Sequence, residues 1–242
     1  MRQPADGYTL LLATSSTNSA NPHLYKKAGF DPVNDFTPIA SIGLIPSVMV
    51  VSSKSAFQSP QDIVKAAKAS PGKMSYGSGG VGNSAHLAGE LFKSIAQIDV
   101  IHVPYKGSSP ALTDVTAAQI DYMLDTGAYG QIKGGKIRAI AVAADRRHPM
   151  LPAVPTFAEL GFEGMKMNAW YGLAAPAKTP SEVVVKINAA VQAAFREGEL
   201  SKRLVDIGVE IRPGGASSFS AFWTSELSRY ERLVKLTGAT LD

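Results

Sequence analysis

The stretch "YGSGGVGNSAH" (76–86) places Gly77, Gly79 and Gly82 in G-x-G-x-x-G spacing, a pattern that bends a strand sharply into a helix and brings bare backbone against a ligand. A dinucleotide site also needs an acidic residue about 20 residues further on to hold the ribose. That place is taken by "HVPYKG", which offers Tyr105 and Lys106. The NAD reading loses its ribose contact there, and Lys106 would serve only an NADP version. What survives is simpler chemistry. Exposed N–H groups at a helix start carry partial positive charge, and they suit a carboxylate or a phosphate.

A second loop of the same kind follows in "YKGSSPA" (105–111), where Ser109 reads as an N-cap and Pro110 as the first helical residue. Both loops leave strands of one parallel set, so both helix starts belong at its carboxyl edge. The side chains of Ser78, Asn83, Ser84, Lys106 and Ser108 would therefore converge there with the two helix starts, whose turns pass through Gly79, Gly80, Val81, Gly82 and Gly107. Asp125, closing "IDYMLDT", faces the same edge, where it would meet a ligand donor, orient Lys106 or bond a nearby backbone N–H. Each helix end adds about 0.3–1 kcal/mol to anion binding. Micromolar affinity needs roughly 8 kcal/mol, which calls for a second lobe closing over the ligand.

Other chemistry is sparse. G-x-S-x-G, G-x-x-x-x-G-K-[ST] and H-E-x-x-H are absent, there is no cysteine, and His23, His86, His102 and His148 lack metal-ligand spacing. No cofactor or metal is expected. His86, one turn inside a helix, reads as a core histidine or one supporting a site. Trp170 and Tyr171 read as packing between lobes or as a wall of a cleft.

The elements that must hold these residues alternate between β-type and helical patterns, which predicts an α/β protein with largely parallel sheets. "GYTLLLAT" (7–14) reads as a strand apolar on both faces, as inside a parallel sheet, and "TPIASIGLIPSVMVVSS" (37–53) as one long extended segment. "SPQDIVKAAKASPG" reads as a helix with Ser59 as N-cap and Pro60 first in the helix. In the helix after the glycine loop, Leu87, Leu91 and Ile95 would form the buried face. A second extended segment, "MKMNAWYGLAAPA", precedes a tail of two helices around one strand. The two extended segments would cross between lobes formed by 1–48 with 168–242 and by 49–167.

With 242 residues, 45% apolar content and a net charge of +4 spread along the chain, the composition fits a globular protein and not a nucleic-acid binder. No apolar stretch reaches the roughly 20 residues of a membrane span, and "MRQPADGYTL" lacks the apolar core of a signal peptide.

The ordered set "ADGYTLLLAT", "NPHLY", "DFTPIASIGLIPSVMVV", "PGKMSYGSGGVGNSAHLAGELF", "HVPYKGSSPALTDV", "GGKIRAIAVAADRRHPMLPAVPTFAELG" and "WYGLAAPAKTP" resembles the Bug-type periplasmic solute receptors of tripartite tricarboxylate transporters, along essentially the whole chain. The resemblance implies a two-lobed type II periplasmic-binding-protein fold and a non-catalytic role. It also implies capture of a small carboxylate for membrane permease subunits, and a periplasmic location. In that family the glycine-rich loop of the second lobe grips the ligand carboxylate, matched here by Ser78 to Ser84. Family members carry a "V-P-F-x-x-G-G-x-x-D" loop and an "E-N-x-x-G-A-G-G" segment ahead of the "DGYTLL" strand. This chain starts at that strand, which implies an incomplete first lobe and an open strand edge through which two copies would pair. The other function class compatible with the residues is a small-molecule enzyme on a related α/β fold.

Overall fold

The structure is a computed structural model that describes residues 3–241. The run read above as one extended segment from 37 to 53 is two strands separated at Ser47. In chain order the elements are β1 (Leu11–Thr14), a π-helical turn (Ser16–Ala20), α1 (Asn21–Leu24), β2 (Phe36–Pro46), β3 (Val48–Ser52), α2 (Pro60–Ala69), β4 (Ser75–Ser78), α3 (Ser84–Ala96) and β5 (Ile101–Pro104). They continue as α4 (Ser108–Thr116), β6 (Tyr122–Asp125), α5 (Tyr129–Lys133), β7 (Ile137–Val142), a 3₁₀ turn (Ala158–Leu160), β8 (Asn168–Pro176), α6 (Ser181–Arg196), α7 (Glu199–Asp206), β9 (Glu210–Gly214) and α8 (Ala216–Thr237). The tail thus holds three helices, α7 being the one that the sequence reading missed. Among the described residues no helix is long and apolar enough to cross a membrane.

The chain divides into two compact units, Met1–Ile45 with Ala169–Asp242, and Pro46–Asn168. The first has a sheet in the order β1-β8-β2-β9, and the β1/β8 and β2/β9 pairs are antiparallel. This corrects the expectation for the first strand. Instead of lying inside a parallel sheet, β1 is an end strand, with Leu12 on it and Leu10 just before it exposed while Ala13 is buried. The core of this unit gathers Ala13, Leu44, Trp170 and Ala174 from the sheet against Phe219, Trp223 and Leu227 of α8. Glycine is required at Gly172, where an added Cβ would sit 2.1 Å from Phe219 Cζ. A second cluster joins Ile39, Ala40 and Ala175 to Val184 of α6. Asn188 of α6 ties the carbonyls of Ile39 and Gly214 together at 2.9 and 3.2 Å.

The second unit has the strand order β5-β4-β6-β3-β7. β4 is parallel to β5 and β6, while β3 is antiparallel to both β6 and β7. The sheet is therefore mixed. The β-α-β crossovers do make β4, β5, β6 and β7 parallel, and β3 inserts between β6 and β7 in the opposite sense. All five residues of β3 are buried. α2 starts as the residue types dictate: the Ser59 side chain accepts the Asp62 amide and the Asp62 carboxylate accepts the Ser59 amide, with Pro60 opening the helix. In α3 the buried side is Ala85, Leu87, Ala88, Gly89, Phe92 and Ala96, whereas Leu91 and Ile95 are only half-buried. The stripe rotates because Tyr76 needs the bare Gly89 beneath its ring, an added Cβ there falling 2.1 Å from Tyr76 Cε2.

Candidate functional site

Since β4, β5 and β6 run in parallel, the turns that leave them lie along one edge of the sheet. The first two turns are bonded to each other: the Gly107 amide donates to the Gly79 carbonyl at 3.1 Å and the Tyr105 amide to the Ser78 carbonyl at 2.9 Å. A Cβ on Gly79 would lie 2.9 Å from the Ser108 nitrogen and 3.0 Å from the Gly107 carbonyl carbon, so only glycine lets the two loops touch. Gly80, Gly82 and Gly107 adopt φ of +131°, +78° and +109°, conformations that side chains resist. The spacing of glycines in the sequence is thus explained by a double loop, with no dinucleotide needed.

The side chains of these loops are mostly spent on holding them. Asn83 is the N-cap of α3, its Oδ1 accepting the His86 amide at 2.8 Å. Ser78, fully buried, accepts the Gly80 amide at 3.1 Å and lies 2.7 Å from His102 Nε2. α4 begins two residues earlier than expected: Gly107, not Ser109, is its N-cap, Ser108 is its first residue, and no side chain caps it. The Ser108 hydroxyl donates instead to Asp125 at 2.7 Å, and the Gly127 amide donates to the other carboxylate oxygen at 2.7 Å. Asp125 therefore orients Ser108 and Gly127, not Lys106. Burial raises its pKa, against the two hydrogen bonds that lower it. Lys106 is exposed between β5 and α4, and Val81, also exposed, has a main-chain amide with no hydrogen-bond partner among the described residues. What the edge offers a ligand is main-chain N–H from two helix starts, with Ser84 and Lys106 beside them. That is chemistry for holding an anion.

Behind the loop, His86 is buried and supports the turn, as its place inside the helix suggested, whereas its pairing with His102 was not legible from spacing. The His86 and His102 rings are 4.2 Å apart, and His86 Nδ1 accepts the Gly82 amide at 3.1 Å. Tyr76 stacks on His102 at 4.9 Å and donates to Glu90 at 2.7 Å, and Glu90 pairs with Lys93 at 2.9 Å. Burial lowers the pKa of His86, and burial followed by the neighbouring His86 takes His102 down to about 4. Both imidazoles are neutral at physiological pH.

The first unit holds a cavity of about 260 Å³ beside the bulge at Ser41 and Gly43, walled by Trp170, Phe219 and Phe222 with Arg212 at its side. Trp170 is buried in an aromatic cluster, 5.8 Å from Phe219 and 5.6 Å from Trp223. His23 serves a structural purpose, its Nε2 lying 3.2 Å from the Leu227 carbonyl oxygen. Among the described residues no group of three or more His, Asp or Glu could hold a metal ion.

A family described as "Tripartite tricarboxylate transporter family receptor" matches the chain over residues 1–239. The chain belongs to this family. As a member of the tripartite tricarboxylate transporter receptors it is a solute receptor and not an enzyme, which sets aside the second function class. It is 31% identical to protein BugT of Bordetella pertussis over 245 residues, covering 99% of this chain and 74% of BugT. Among solved structures, Rpa4515 of R. palustris with adipate matches with a TM-score of 0.90 and 32% identity, over 99% of this chain and 81% of that one. MatC of Rhodopseudomonas palustris with bound malate matches at 0.84 and 30%, over 96% and 81%. The fold is that of the Bug-type periplasmic binding proteins, built from two α/β units.

Proposed function

We propose that this receptor captures a small carboxylate at the double loop formed by Ser78–Ser84 and Lys106–Ser108, and hands it to the membrane subunits of a tripartite transporter outside the cytoplasm. The observation that carries the reading is the pairing of the two loops through Gly79 and Gly107, which lines up two helix starts whose side chains are already committed to the fold. With Asn83, Ser78 and Ser108 bonded inward, main-chain amides and Lys106 supply the recognition. Such a donor set matches the charge of a carboxylate oxygen, a charge that a neutral sugar lacks, and a protonated amine would be repelled by Lys106. The adipate and malate held by the two related receptors are of this chemical class.

A thermal-shift screen of the full chain against dicarboxylates, amines and neutral sugars, followed by calorimetry on the best hit, tests the reading. A dicarboxylate is expected to stabilise the protein most, and Lys106→Ala is expected to weaken its binding while Arg146→Ala leaves it unchanged. A neutral sugar as the best hit would overturn the proposal. The reading extends to self-association: the end strand β1, with Leu10 and Leu12 exposed, supports pairing with β1 of a second copy.

A further inference from the structure

His86 is the third residue of α3, the position at which Glu or Gln closes a capping box by reaching back to an orphan amide. Here an imidazole does the reaching. The Asn83 side chain takes the His86 amide at 2.8 Å, and the His86 ring takes the Gly82 amide at 3.1 Å through Nδ1. A ring nitrogen accepts only while it carries no proton, so this latch requires neutral His86 with its proton on Nε2. A carboxylate at the same position would keep its acceptor far below neutral pH. A histidine gives it up once its ring takes a proton, which burial moves below the ordinary imidazole range.

His102 holds the other side of the loop. Ser78 Oγ lies within hydrogen-bond distance of the Gly80 amide, the Gly80 carbonyl and His102 Nε2. The arrangement that satisfies all three has the hydroxyl donating to the carbonyl while His102 Nε2–H and the Gly80 amide donate to Oγ. Gly80 and Gly82, the two loop residues with positive φ, are thus each held by a histidine-linked bond. The groups that face this pair are Glu90 and Lys93 on α3, Tyr76 and Ser78 on β4, and Tyr122 on β6, which stacks on Tyr76 at 5.8 Å. Glu90 is already engaged by the Tyr76 hydroxyl and Lys93, which leaves its charge partly neutralised toward the imidazoles.

We propose that His86 is a positioning residue for the anion site: its unprotonated ring fixes the Gly82 amide and with it the turn 79–82, and protonation of that ring lets the turn go, so that the site loosens on acidification. The inference rests on the carboxylate reading of the loop for its consequence, though not for its geometry. Its sign sets it apart from simple attraction. A positive imidazolium under an anion site would by itself tighten binding as pH falls, whereas the latch weakens it.

Amide hydrogen exchange of the full chain, followed at Gly82 by NMR, tests the latch without any ligand. Wild-type Gly82 is expected to be protected at neutral pH and to lose about fivefold of that protection, after correction for intrinsic exchange, once His86 is protonated. His86→Asn, whose amide oxygen accepts at every pH, is expected to keep the protection and lose the step. His86→Leu loses the protection throughout. Should His86→Leu fail to fold, the presence or absence of the step in wild type against His86→Asn decides. Protection that survives in His86→Leu, or a step that persists in His86→Asn, overturns the proposal. Calorimetry with adipate adds a second arm, in which the ratio of wild-type to His86→Asn affinity is expected to fall on acidification, and a rise overturns the proposal. Exchange that behaves as expected while neither adipate nor any other dicarboxylate of the screen binds would support the latch and sink the carboxylate reading.

Discussion

Asp125 shows how a single residue at this edge is shaped by its surroundings. The residue is 2% exposed, and its carboxylate accepts one bond from Ser108 and one from Gly127. Burial makes its folded pKa higher than the value of 3.8 it has when unfolded. Between those two values the folded chain binds the additional proton, so this residue's contribution to stability falls as pH rises through the window, and at neutral pH the penalty is complete. Asparagine at 125 keeps both bonds, accepting from Gly127 and donating to Ser108, without a buried charge. Asp125→Asn is therefore expected to match or exceed wild-type stability in urea at neutral pH, with the difference shrinking as the pH is lowered into the window. Asp125→Ala strips both bonds and is expected to be about 1–3 kcal/mol less stable than the asparagine variant.

At the scale of elements, α3 explains why helix propensity alone misleads. Gly89 sits inside a helix, where replacement by alanine in an isolated peptide would gain about 1 kcal/mol. In the fold an alanine Cβ would meet the Tyr76 ring at 2.1 and 2.6 Å, and that ring is fully buried between His102 and Tyr122. Gly89→Ala is expected to destabilise the chain by about 1–3 kcal/mol in urea unfolding, because overpacking outweighs propensity. The same contact accounts for the misplaced face of the helix. A regular spacing of Leu87, Leu91 and Ile95 marks an apolar stripe, yet the buried side takes in residues without bulk, Ala85, Ala88 and Gly89, with Gly89 closest against Tyr76, and Leu91 and Ile95 turn half outward. The N-cap of α2, in contrast, was legible, because the Ser59 side chain does the capping just ahead of Pro60. At α4 the cap is Gly107 and not Ser109, and the Ser108 hydroxyl is taken by Asp125, a residue 17 positions away that local sequence does not bring near.

At the scale of the whole molecule, the sheet of the first unit ends on β1, whose Leu12 is 53% exposed. An end strand with exposed apolar side chains favours pairing with another strand. Analytical ultracentrifugation is expected to show concentration-dependent self-association that Leu12→Lys suppresses, and a monomer unaffected by the substitution would count against pairing through β1. The amino-acid sequence by itself determined the alternation of strands and helices, the glycine turns of the double loop, the cap of α2, and membership of a receptor family, since each of these is written in residues that are neighbours along the chain or in their order. Only the tertiary structure decided that β3 runs against its neighbours, that β1 ends its sheet in an antiparallel pair, that Ser78, Asn83 and Ser108 point into the fold, and that His86 and His102 share one niche behind the loop. The physical reason is the same throughout. Strand direction, face and hydrogen-bond partner are settled by groups distant in sequence, where burial and the pairing of every buried polar atom outweigh local preference.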